Sequence, residues 1–346
     1  MQKRWFIMES RRRGRHSNKR RMSKGKKIFI AVFTILLISA ISTGAYAFYI
    51  LSLMKHTNIN KPTTDNGITN VPVEDAKKIN KNITNYALFG LDRRGTEASR
   101  SDTIMVLSLD KENKKIKLTS LMRDMYVDIP GHNKNKLNAA YAFGGPGLAI
   151  NTINNDFKLD IQYYATVDFK GLQMLINKLG GVDINVKQGE IQYLNSYLDE
   201  LNKIDKSNVA SHITKAGMQH LNGKQAVAYM RIRYYGRADY ERTERQRTVL
   251  TQLFNKVKQA GPLKLPGIMT SILPYVETNL SSTNIMGLGA SAIGYSSAIE
   301  QYRLPVDGTY TSPSIKGVGD VLQPDMNKNV DLLYKFIYGT DANVSK

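Results

Sequence analysis

NYALFGLD at 85–92, DTIMVLSLD at 102–110 and KIKLTSLM at 115–122 are three apolar runs of strand length that follow one another closely. The charged turn 111–115 joins the second run to the third, so these two read as a hairpin. Working outward, KLNAAYAFGGPGLAINTINNDF (136–157) predicts two helical pieces broken at Gly144-Gly145-Pro146. Ile161–Val167 is strand-like, Phe169–Leu179 is helical, and Val182–Val186 is again a strand after Gly180-Gly181. Residues 188–215 are polar and weakly patterned, which predicts a surface insertion. Asn222 is a predicted N-cap for a short helix over 223–230, and 231–235 is short and β-prone. A long helix is predicted over 239–258, with others at 264–273, 284–296 and 326–338. Strands alternate with helices throughout, so the pattern is that of one layered α/β domain.

Upstream lies a different chemistry. The chain has 346 residues and a net charge of +20, and residues 1–27 carry twelve Lys or Arg against one acid, Glu9. Ile28–Met54 then runs without a charge, longer than the roughly 20 residues that cross a bilayer and longer than a signal-peptide core. The basic tail sets residue 1 in the cytoplasm and the C-terminus outside. The expected organisation is therefore a cytoplasmic tail (1–27), a transmembrane helix (28–54), a polar linker (55–81), a folded outer domain (82–340) and a short tail (341–346). There is no cysteine, which excludes disulfides and thiolate zinc sites.

Five histidines, none at metal-ligand spacing with another, leave a Ser-His-Asp hydrolase without a base, and no phosphate-binding glycine loop is present. Arginine stands out instead. Arg231 and Arg233, two apart, share a face of an extended segment. Asp239, Arg242 and Gln246 form one stripe of a helix, with Arg245 and Arg247 off it. The planar guanidinium binds phosphate oxygens in a bidentate way and stays charged. The same stretch, RIRYYGRADYERTERQR, also reads as a solvated charged face. Asp92 and Asp102 stand at neighbouring strand ends, where two carboxylates can share a divalent ion or simply cap turns. Arg123 and Asp124 end the third strand. Leu172, Leu175, Ile176 and Leu179 form an apolar helical stripe that suits either the core or a lipid channel.

The blocks FGLDRRGTEASRSDTIMVLSLD, SLMRDMYVDIPG, KLNAAYAFGG, YYATVDFKGL, LGGVDINV, LNGKQAVAYMRIRY and DYERTERQ resemble, in order, the LytR-CpsA-Psr family of Gram-positive wall enzymes, over about residues 84–255. The resemblance implies a three-layer αβα sandwich around a mixed sheet. It implies a phosphotransferase that moves a polyprenyl-pyrophosphate-linked glycopolymer, of teichoic acid or capsule type, onto peptidoglycan and releases polyprenyl phosphate. It assigns Asp92 and Asp102 to Mg2+ (or Mn2+), Arg123, Arg231 and Arg233 to the pyrophosphate, and Arg242 and Gln246 to the rest of the head-group site. Arg100 and Lys136 lie in matching blocks. Asp102 is the expected proton acceptor, with Asp124 and Asp239 as alternatives. Met122 departs from the proline common before the Arg-Asp pair. Membrane lipid is an expected partner and nucleic acid is not. Hydrolysis at the same site, non-catalytic binding of the lipid-linked polymer and membrane-bound transcriptional regulation are the rival readings.

Overall fold

The computed structural model describes residues 82–92, 100–237, 239–281 and 298–340, with Tyr49, the pair 55–56 and isolated positions between 284 and 295. The expected tail at 1–27, the anchor at 28–54 apart from Tyr49, and most of the linker lie outside the described residues. Among those described, no helix is long and apolar enough to cross a membrane.

The three quoted runs form β2 (Ile83–Leu91), β3 (Ser101–Asp110) and β4 (Lys115–Leu121), an antiparallel meander in the middle of a seven-stranded mixed sheet. β7 (Tyr163–Asp168) pairs parallel with β2, and β10 (Val276–Thr278) pairs antiparallel with β7. β11 (Ile299–Leu304) pairs parallel with β4, and β1, the first two linker residues Lys55–His56, edges β10. Two short strands, β5 (Tyr126–Val127) and β6 (Asn135–Lys136), pair outside the sheet.

Alternation along each strand separates two faces. Ala87, Phe89 and Leu91 of β2 and Ile104 and Val106 of β3 pack with Ile150, Ile153 and Phe157 of α1 (Leu137–Phe157) and with Leu333 and Ile337 of α6 (Met326–Tyr338). Fully burying one such side chain contributes roughly 1.5–3 kcal/mol. Tyr86, Leu88, Leu107 and Leu109 face the other way, toward Phe254 of α5 (Asp239–Ile272). Helices thus cover both faces of the sheet. α1 breaks where expected: Gly145 takes a positive φ of 63°, ahead of Pro146.

Beyond the sheet edge sits a second core, and here several expectations are corrected. Residues 188–215 are not a surface insertion. They contain α3 (Ile191–Ile204), which packs on α4 (Gly223–Arg231) and whose Leu194, Leu198 and Leu201 are buried in one core with residues of α2 (Phe169–Lys178) and α5. The polar residues fasten the loop that follows: the Asn195 and Asn202 amides each donate to and accept from the backbone of Ile213 and Ala210, at 2.9–3.0 Å. Val182–Val186 (β8) is a strand, but it pairs only with β9 (Gly217–Leu221), in a separate ribbon. Arg231 is not on an extended segment; it is the last residue of α4, which Asn222 caps as expected. The helices expected at 239–258 and 264–273 are one continuous α5. Leu172 and Ile176 are buried in this second core, and Leu175 and Leu179 pack on it, so that stripe is core and no lipid channel.

The C-terminal ends of β2, β4 and β7 and the start of β3 share one sheet edge. Ligands of α/β sheets gather at such an edge, and the second core packs beside it.

Candidate functional site

Each group at that edge is held there by a local feature of the fold. The β2–β3 ladder slips by one residue: Gly90 pairs with Thr103, but Leu91 pairs with Ser101. Asp102 is the extra residue of this bulge, a device that re-aims side chains beside functional sites. Gly90 is required because a Cβ there would lie 2.9 Å from the Thr103 Cβ. Arg123 leaves the end of β4 in a loop fixed at both ends: the Met122 N–H donates to the Leu304 carbonyl at 2.9 Å, and the Asn138 N–H donates to the Arg123 carbonyl at 3.1 Å. A proline at 122 could not make the first of these bonds. The departure at Met122 therefore anchors the loop.

Arg123 joins three carboxylates. Its Nη1 lies 2.5 Å from Asp102, its Nε 3.3 Å from Asp124 and its Nη2 3.5 Å from Asp239. Burial alone would lower the Arg123 pKa, but Asp102, Asp239 and Asp124 together raise it. Asp239, in the first turn of α5, is itself a hub. It meets Arg233 Nε at 3.3 Å and Arg242 Nη1 at 3.2 Å. Arg242 is 4% exposed; burial and the neighbouring Arg123 charge push it down to about 10, still cationic at neutral pH. Lys136 reaches Asp124 at 3.0 Å. Burial works against the Asp124 carboxylate, yet Asp239, Arg123 and Lys136 hold it below the usual range.

Arg231 completes the cluster from α4. Its Nη2 lies 2.9 Å from Glu200 and 3.6 Å from Asp92, and its guanidinium stacks over Tyr197 and Phe169 at 5.0 and 5.7 Å. Asp92, Asp102, Arg231, Arg233, Arg242 and Gln246 all line one cavity of about 380 Å³, whose wall also includes Phe169, Tyr197, Glu200 and Tyr234. Arg231 Nη1 and Arg242 Nε are buried and have no hydrogen-bond partner among the described residues. Hydrogen-bond donors left in this way beside a polar cavity are ready for an anion.

Of the expected residues, then, Asp92, Asp102, Arg231, Arg233, Arg242 and Gln246 converge on the cavity, with Arg123 behind Asp102 and Lys136 behind Asp124. Arg100 sits just before β3 and is exposed. The solvated-face reading of 231–247 fails, because Arg242, Arg245 and Gln246 are all buried. Arg245, off the stripe, is a truss. It bonds Glu190 at 2.8 Å, Glu241 at 3.0 Å and the Ile232 carbonyl at 3.1 Å, tying α5 to the loop that carries Arg233. Sequence reasoning missed Glu190, Tyr197 and Glu200, which come from the misread 188–215 stretch. The Leu194/Leu198/Leu201 spacing was the available signal for the helix that carries Tyr197 and Glu200.

Five cationic side chains (Arg123, Lys136, Arg231, Arg233, Arg242) meet five carboxylates (Asp92, Asp102, Asp124, Asp239, Glu200) here. Among the described residues, no three acidic or histidine side chains cluster closely enough to hold a metal by themselves. Asp92 and Asp102 both line the cavity and are its two aspartate oxygen donors. That set fits a hard divalent ion whose remaining ligands are water and phosphate.

The sequence and the fold are both shared with known proteins. The chain is 33% identical over 272 residues to regulatory protein MsrR of Staphylococcus aureus, covering 78% of this chain and 77% of that one. It is also 33% identical, over 291 residues, to the polyisoprenyl-teichoic acid–peptidoglycan teichoic acid transferase TagU of Enterococcus faecalis, covering 80% and 86%. A solved structure of TagT bound to LI-WTA superposes with a TM-score of 0.62 at 25% identity, over 80% of this chain and 98% of that one. The family model described as the LytR_cpsA_psr family matches residues 48–333, spanning the second core, most of the first and every residue of the cluster, so the chain belongs to that family.

Proposed function

We propose that the chain is a phosphotransferase. It attaches a polyprenyl-pyrophosphate-linked anionic glycopolymer to peptidoglycan through a phosphodiester and releases polyprenyl phosphate. The observation that carries this reading is the convergence of Arg123 with Arg231, Arg233 and Arg242, from two distant stretches of chain, beside one cavity, with buried N–H groups unpartnered among the described residues. The name of the TagU relative supports teichoic acid as the polymer and peptidoglycan as the acceptor.

An acceptor hydroxyl attacks the sugar-proximal phosphorus, and the bond to the bridging oxygen breaks. Arg231, Arg233 and Arg242 neutralise the diphosphate and the charge growing on the departing lipid phosphate, and Gln246 donates beside them. Asp102, aimed by its bulge, takes the hydroxyl proton, with Asp124 and Asp239 as the alternatives. The charge balance of the cluster supports a cation: an added diphosphate exceeds what five cations already matched by five carboxylates can neutralise. Mg2+ or Mn2+ held by Asp92 and Asp102 would supply that Lewis-acid neutralisation. The lipid chain needs an apolar cavity, and one of about 200 Å³ lies between the sheet face and α5, lined by Leu88, Leu107, Leu109 and Phe254. Residues 28–54 would anchor the chain, with the domain outside the cell.

The MsrR name keeps a regulatory reading in view. The long helix argues against direct nucleic-acid contact, since its Arg242 and Arg245 point into the protein and not toward a phosphate backbone. Purified protein given lipid-linked polymer, peptidoglycan and magnesium should form the phosphodiester-joined product. Arg123→Ala and Arg231→Ala should each lower kcat/KM by about a hundredfold or more, and a chelator should stop the reaction. Unchanged yields in both variants sink the assignment.

A further inference from the structure

A second cavity of about 380 Å³ opens beside the first and shares three of its walls, Tyr197, Glu200 and Tyr234. Its other lining residues, Tyr193, Ser196 and Lys203, come from the same face of α3. Its chemistry differs sharply from that of its neighbour. All four arginines of the cluster lie outside its lining, and its only charged residues are one acid and one base, Glu200 and Lys203. Three tyrosines line it: Tyr193 and Tyr197, which pack against the second core, and Tyr234, which is 72% exposed. Aromatic faces with a few convergent hydrogen-bonding groups suit an uncharged polyhydroxylated ring, whose C–H face stacks and whose edge hydroxyls bond. The lining itself carries no net charge, unlike the arginine-lined first cavity.

Its place is as informative as its lining. Glu200 lies on the party wall, with its carboxylate 2.9 Å from Arg231 Nη2. A ligand held in this cavity is therefore next to whatever Arg231 holds in the first. Group transfer between two bound molecules requires that adjacency.

The geometry points to the second cavity as the subsite for the acceptor sugar: a neutral hexosamine-type ring of the glycan strand, stacked on Tyr197 and Tyr234, with a hydroxyl turned across the Glu200 wall toward the diphosphate. This inference rests on the transferase reading above and adds to it the place of the acceptor. Glu200 positions the ring; while paired with Arg231 it is a hydrogen-bond acceptor for the sugar and is assigned no proton transfer.

Ser196 is exposed and lines only this cavity, so Ser196→Trp obstructs it without touching either core. Lys203→Glu, also outside the first cavity, reverses one charge at the rim. With full-length protein, lipid-linked polymer as donor and a defined glycan oligosaccharide as acceptor, Ser196→Trp should raise the acceptor KM about tenfold or more, a factor worth about 1.4 kcal/mol. The donor KM should not change. Lys203→Glu should shift the acceptor KM in the same direction by a smaller factor. An unchanged acceptor KM in Ser196→Trp overturns the proposal. So does a rise in the donor KM, which would assign the cavity to the polymer's own first sugars. Wild-type protein that forms no joined product refutes the transferase reading itself. Wild-type transfer that Ser196→Trp leaves intact refutes only the subsite.

Discussion

The truss beneath the site offers a sharp quantitative test, through Glu190→Gln. Glu190 and Arg245 are 1% and 3% exposed, and their 2.8 Å ion pair ties the turn before α3 to α5. Removing one charge of a buried pair costs about 3–5 kcal/mol, because the remaining charge stays in a poorly solvating place. Glu241 still reaches Arg245 at 3.0 Å, so the low end, about 3 kcal/mol, applies here. For a domain of this size, that loss lowers Tm by roughly 6–12 °C. Urea titration of the purified chain, followed by circular dichroism, should show a lower midpoint with an unchanged slope. The double variant Glu190→Leu/Arg245→Met removes both charges and should recover most of the loss, since a well-packed apolar pair replaces a buried ion pair at little cost. Arg245 also holds the Ile232 carbonyl beside Arg231 and Arg233. Transfer by Glu190→Gln should therefore fall further than its folded fraction explains. A midpoint shift worth less than about 1 kcal/mol, or a double variant weaker than the single one, would refute the reasoning.

Two further perturbations probe the same framework. Gly236 has a φ of +71°, and a Cβ there would lie 2.0 Å from a Glu241 carboxylate oxygen; Gly236→Ala should cost about 1 kcal/mol in urea titration and reduce transfer, because the positive φ strains an alanine and the Glu241 carboxylate that pairs with Arg245 must move. Asp156 in α1 has a buried Oδ2 without a hydrogen-bond partner among the described residues, and burial followed by the Asp128 charge pushes its pKa up to about 7. The native state then holds a proton that the unfolded chain releases near pH 4, so this group's contribution falls as pH rises from about 4 to 7. Asp156→Asn should be more stable than wild type above pH 7 and lose that advantage at pH 4; a pH-independent difference between the two midpoints would contradict the assignment.

The sheet was legible because its strands obey a simple rule. Runs such as NYALFGLD are apolar on both faces, and both faces are covered, so composition alone marks them. The break at Gly144-Gly145 and the Asn222 cap were legible because backbone conformation there depends on the residue itself. The second core was not legible for the opposite reason. Asn195, Asn202 and Lys224 spend their polar groups on backbone atoms far along the chain, which composition reads as exposure to water. The misreading of Arg231 has a similar source. RIRYY is β-prone by propensity, but the Asn222 capping box and the buried Val227 and Ala228 carry the helix through to Arg231, so tertiary context wins. The Arg242/Gln246 stripe survived because helical periodicity alone sets it.

What the sequence could not convey is how the arginines are held, and that bears on why they are arginines. Arg231 sits over the Tyr197 and Phe169 rings while Nη2 bonds Glu200 and Nη1 has no hydrogen-bond partner among the described residues. A lysine ammonium has no plane to stack and would draw its three donors toward Glu200 and Asp92, leaving nothing aimed into the cavity. Arg242 keeps Nη1 on Asp239 and an unpartnered Nε in the interior. Each orphaned donor costs the empty protein about 1–3 kcal/mol. On the proposed reading, the acceptor oxygens of a diphosphate would offset that deficit. The carboxylates serve the same end: Asp239 holds Arg123, Arg233 and Arg242 close together against their mutual repulsion before any phosphate arrives. The cluster is thus organised by charges of its own, an arrangement that on the proposed reading a diphosphate would join.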